Sequence, residues 1–82
     1  MEFRVRAERS KLLMDSEHFQ LVMKDLRERQ MAIFASSAAG EMEKRENAHA
    51  ILRALNEIEG MLQADMDAVK LQNKKDRDRV ND

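Results

Sequence analysis

The sequence predicts an all-α protein, an antiparallel helical hairpin with a short leading helix, assembled into an oligomer. Three observations carry this. The 82 residues include no proline and only two glycines, so little interrupts a helix. Charged residues make up 38% and hydrophobic ones 43%, which matches long-helix proteins. The β-branched residues Val5, Val22, Ile33, Ile51, Ile58, Val69 and Val80 are scattered and never alternate as a strand requires. Oligomerisation follows from size. So small a domain buries only roughly 60% of its unfolded surface. Without cysteine it has no disulfide to compensate.

Residues 1–14 read as a short amphipathic helix, with Phe3 and Ala7 on one face and Leu12 and Leu13 extending it. Asp15 and Ser16 are good N-cap residues, and Glu17 suits the first turn of a following helix, so a break or kink is expected there. Residues 16–72 form the hairpin. Its first arm carries Phe19, Val22, Met23, Leu26, Gln30, Ile33 and Phe34 at helical spacing. Ser36, Ser37 and Gly40 mark a turn near 36–41, where Gly40 is expected to end the helix in the left-handed conformation. The second arm has the strongest signal, a stripe of Ala48, Ile51, Leu52, Leu55, Ile58, Leu62, Met66 and Val69. From Ile51 to Val69 it advances 18 residues in five steps, or 3.6 per turn, so it reads as a straight packing helix ending near Leu71. Gly60 inside it suggests the close approach of a neighbour. Residues 73–82 have no apolar stripe and are expected to be a flexible charged tail.

The chemistry is sparse. No cysteine excludes a thiol nucleophile and cysteine-ligated zinc. There is no glycine-rich phosphate loop and no context for a nucleophile–histidine pair, so no catalytic residue and no cofactor is assigned. His18 reads as a surface or capping histidine. Glu46 and His49, three apart on a helix, are the only metal-ligand candidates. Di-iron bundles use this spacing from two helices, with further glutamates from two others. A homodimer would supply two such pairs, with Glu17 or Glu28 bridging. The plainer reading places Glu46 and His49 on the surface near a helix start, so no metal is assigned.

Net charge is −1, with +2 on residues 1–11, −5 on 12–69 and +2 on 70–82. A nucleic-acid binder normally shows a continuous basic face, and basic ends flanking an acidic middle do not make one. The run Arg4, Arg6, Arg9 and Lys11 reads as a solvated helix face. No run of 18 apolar residues could cross a membrane, and the N-terminus lacks the apolar stretch of a secretion signal. Seven methionines are adaptable packing residues.

The segment Arg45-Glu46-Asn47-Ala48-His49, continuing through Ile51, Leu52, Ala54, Leu55 and Glu57, and preceded by Leu12, Leu13, Phe19, Ser36 and Ser37, resembles a family. It is similar to small helical proteins encoded in tailed-phage and prophage structural gene clusters, near portal and capsid genes. The likeness covers about residues 10–72. The family's Gly-Lys pair after the long helix is replaced here by Val69-Lys70-Leu71. The resemblance implies a virion or host-cytoplasm setting and a minor structural, connector-associated or scaffolding-like role.

The expectation is therefore a non-enzymatic phage structural or assembly protein. It would pack Leu52, Leu55, Ile58, Leu62 and Met66 against Phe19, Met23, Leu26 and Ile33. The hairpin alone would leave Leu52, Leu55, Leu62 and Phe34 poorly covered, and these remnants of the stripe would meet another copy or a neighbouring virion protein. A small helical chaperone, adaptor or phage-encoded inhibitor of a heterologous protein is the alternative, and a ferritin-like metal-binding oligomer a more distant one.

Overall fold

The computed structural model describes residues 2–80, without the side chain of Val80. All secondary structure among them is helical: α1 (Phe3–Asp15), α2 (Glu17–Ser36) and α3 (Met42–Val80).

Ser16 separates the first two helices. Its backbone is extended, its N–H closes α1 on the Leu13 carbonyl at 3.2 Å, and its hydroxyl accepts from the Phe19 N–H at 3.3 Å to open α2. The Gln20 amide donates to the Met14 carbonyl at 2.7 Å, satisfying another group exposed by the break. The break has a packing reason. On α1 the inward side chains are Ala7, Ser10 and Met14; on α2 they are Phe19, Met23, Leu26 and Gln30. The step from Met14 to Phe19 is five residues. An uninterrupted helix would turn Phe19 about 140° away from the face that Met14 occupies. The single non-helical residue resets the phase.

The second connection is built by side chains. Ser37, with extended backbone, caps α2 and donates its hydroxyl to the Phe34 carbonyl at 2.9 Å. The Glu41 carboxylate accepts from the Ala38 N–H at 2.8 Å. The Arg45 guanidinium donates to the Ala38 and Ala39 carbonyls at 2.6 and 3.2 Å and to the Ser37 hydroxyl at 3.3 Å. The left-handed ending expected at Gly40 is absent: no described glycine has positive φ. The Ser37 hydroxyl meets one of the last α2 carbonyls, that of Phe34, and Arg45 ties down the turn beyond it through the Ala38 and Ala39 carbonyls.

Both α1 and α2 pack on α3, with less contact between themselves. The pairings run in opposite order along the chain. Arg4 meets Asp76, Ser10 and Arg6 meet Asp65, and Arg27 meets Asn56 and Glu59. The helix expected to end near Leu71 runs on to Val80, and Asp76 within the extension accepts from Gln72 at 3.0 Å. Alternating polar residues had read as a tail, but they make pairs that a helix satisfies. Residues 81–82 of the expected tail lie outside the described residues.

The inward row of α3 also differs from the apolar stripe. Positions 48, 52, 55, 59, 62, 66 and 69 are buried or half-buried and advance by alternating steps of four and three. That is 3.5 residues per step, the spacing of a coiled-coil seam, where 3.6 was expected. Glu59, reached by Arg27, occupies the position that apolar counting had given to Ile58, and Ile51 and Ile58 stand outward at 38% and 43% exposure.

The resulting core is thin. Its buried apolar residues are Ala7, Met23, Ala48 and Leu55, joined by Ser10 and Gln30. Only two of these are large apolar side chains, each worth about 1.5–3 kcal/mol on burial. The molecule measures 63 × 25 × 21 Å with a radius of gyration of 18.2 Å. A compact chain of this length would have a radius near 12 Å.

Candidate interaction site

Ten residues were expected to form a protein interface. Met23 and Leu55 are buried, and Phe19, Leu26, Leu52, Leu62 and Met66 are half-buried along the seam. Ile33, Phe34 and Ile58 are exposed. The set is thus divided between an interior seam and outward faces. No described helix is long and apolar enough to cross a membrane.

The outward apolar residues are numerous. Leu12, Leu21, Met31, Phe34, Met42, Met61 and Leu71 are each between 47% and 73% exposed, and seven other large apolar side chains are at least 36% exposed. Near the turn they converge. Met31, Phe34, Ala35, His49 and Leu52 line one open groove, and Phe34, Met42, Arg45, Glu46 and His49 line its neighbour. The two share Phe34 and His49, so α2 and the first turns of α3 present one continuous apolar strip. A second apolar floor lies at the other end, where Ala7, Met66 and Val69 are rimmed by Arg4, Glu8, Lys11 and Lys70.

Glu46 and His49 occupy that strip as exposed rim residues. Among the described residues, no three His, Asp or Glu side chains are grouped to hold a metal ion. The two glutamates considered as bridging partners, Glu17 and Glu28, are exposed on α2 and do not join them. His18 is exposed at the start of α2. Gly60 has no atom within 4 Å of where a Cβ would stand, so no neighbour within the described chain approaches it.

Apolar periodicity could not identify the polar contacts that link the helices. Arg27 donates to Asn56 Oδ1 at 2.7 Å and to Glu59 Oε1 at 2.8 Å. Asp65 accepts from the Ser10 hydroxyl at 2.7 Å and pairs with Arg6 at 2.8 Å. The Ser10 hydrogen bond, with help from Arg6 and against partial desolvation, holds the Asp65 carboxyl below the usual carboxylate range. Glu41 is likewise lowered, first by its hydrogen bond with Lys44 and then by the Ala38 N–H. Every buried side-chain N or O among the described residues has a partner. These pairs position helices and offer no poised acid, base or nucleophile.

Comparisons with protein-family models, curated proteins and solved structures find no match to the chain.

Proposed function

We propose that the chain is a non-enzymatic assembly protein, a helical hairpin with a leading helix that completes its packing against other protein surface, itself included. The observation that carries this reading is the imbalance between core and surface. Among the described residues, four buried apolar side chains stand against fourteen large apolar ones that are exposed. The accessible surface is 6580 Å². A compact monomer of this mass exposes about 5,100 Å². The excess, about 1,500 Å², goes with the elongated shape of the molecule and its thin core.

The setting we propose is a tailed-phage particle or its assembly, in the virion or the host cytoplasm, on the residues at Leu12, Leu13, Phe19 and Arg45–Glu57 that carry the resemblance. A connector-associated or scaffolding-like part suits a thin, elongated helical element that binds by apolar faces. Gradient sedimentation of assembling particles tests the setting. The chain is expected to travel with particles or their precursors. Recovery only as free protein, or with an unrelated host protein, would favour the adaptor reading.

A further inference from the structure

We infer that α1 is a strap that opens on Ser16 as one body, that the Asp65 carboxylate is the latch holding it on α3, and that loss of the latch uncovers Met66 and Val69.

The hold of α1 on α3 is largely polar. Phe3, Val5, Leu12 and Leu13 are exposed, and the residues that α1 buries are Ala7 and Ser10. By contrast, α2 buries Met23 and half-buries Phe19 and Leu26. A methyl group as small as that of Ala7 removes little apolar area from water. The Ser10 hydroxyl, donating to Asp65 at 2.7 Å, and the Arg6 guanidinium, paired with it at 2.8 Å, therefore carry much of the attachment. The Arg4–Asp76 pair, exposed and 3.8 Å long, adds little. The hinge is already built. The Ser16 N–H closes α1 on the Leu13 carbonyl, and the Ser16 carbonyl opens α2 on the Gln20 N–H. Rotation about the Cα between them breaks neither bond. The contact that crosses the hinge, from the Gln20 amide to the Met14 carbonyl, is exposed. An element with few buried apolar contacts and a one-residue hinge opens at less cost than the whole fold. On α3, Met66 and Val69 are half-buried and share a groove with Ala7 of α1.

Acid releases the latch. The charged group facing Asp65 from α1 is Arg6, and among the described residues α2 brings it neither an ion pair nor a hydrogen bond. Its carboxyl is held below the usual range, chiefly by Ser10, so the latch is charged at neutral pH and is lost as pH falls through that lowered value.

Amide hydrogen exchange on the full chain at pH 7 tests the strap. The α1 amides should exchange at least about tenfold faster than those of α2, with a smaller urea dependence. Asp65→Asn should speed α1 exchange a further tenfold or so, about the loss of one charge-assisted hydrogen bond. Ser10→Ala, a milder change, should act in the same direction and serves if the first variant fails to fold. Arg27→Ala removes a contact that survives when α1 opens, so it should speed exchange in α2 and not in α1. Peroxide oxidation located by mass spectrometry reads the uncovering. As pH falls below the ordinary carboxylate range, Met66 should oxidise faster before Met23, which α2 buries, begins to do so. One protection level and one urea slope shared by α1 and α2, or α1 exchange that ignores both Asp65→Asn and Ser10→Ala, would overturn the strap. Met66 and Met23 responding to acid together, or neither responding, would overturn the uncovering.

Discussion

Asp65 shows how single polar residues set the alignment of this protein. It lies on the side of α3 that faces α1, joined to Ser10 and Arg6. Its folded pKa is depressed, so its contribution to stability is present above the ordinary carboxylate range and is lost as pH falls through the folded value. Asp65→Asn should therefore lower the melting temperature at pH 7 and flatten the acid side of the stability profile. Thermal melts between pH 2 and 7 check this; a variant as acid-sensitive as the parent would contradict it. Arg27 has the corresponding place on α2. Arg27→Ala leaves Glu59 on the seam without its guanidinium and should cost about 1 kcal/mol, a modest value because both groups remain partly in water. Urea denaturation of the variant measures that cost.

The helices record what could be read from sequence and what could not. The break at Ser16 was legible because capping chemistry is local: serine, then glutamate, before an apolar run. Ser16→Ala should cost about 1 kcal/mol. The far end of α3 was not legible, because its side chains stabilise a helix by pairing with one another and with α1, as Asp76 does with Gln72 and Arg4. The inward row was misread by one position at Ile58, because its true occupant, Glu59, is admitted by a partner 32 residues away. Gly40 was assigned a left-handed cap from its place between two periodic segments; instead Ser37 caps α2 and Arg45 holds the turn, through contacts that depend on how the turn closes. Gly60 sits on an exposed stretch of α3 with room for a methyl group. Gly60→Ala should therefore stabilise the helix by up to about 1 kcal/mol, raising the urea midpoint without changing the slope. A destabilised variant would mean that another chain approaches there.

The whole molecule is a thin rod whose interior is too small for its surface. Of the four residues expected to be poorly covered, Phe34 is exposed, whereas Leu52 and Leu62 are half-buried and Leu55 is buried on the seam. The part played by Met31 and Met42 was not legible, because their convergence depends on how α2 and α3 come together at the turn. Association should add stability by mass action, so the melting temperature should rise with protein concentration. The most direct test is the mass in solution, measured by light scattering across a concentration series. Association into a closed oligomer, with mass rising above the 9.6 kDa of one chain as concentration increases, is the expected result. A stable monomer at every concentration would contradict self-assembly and leave the apolar surface to a different protein.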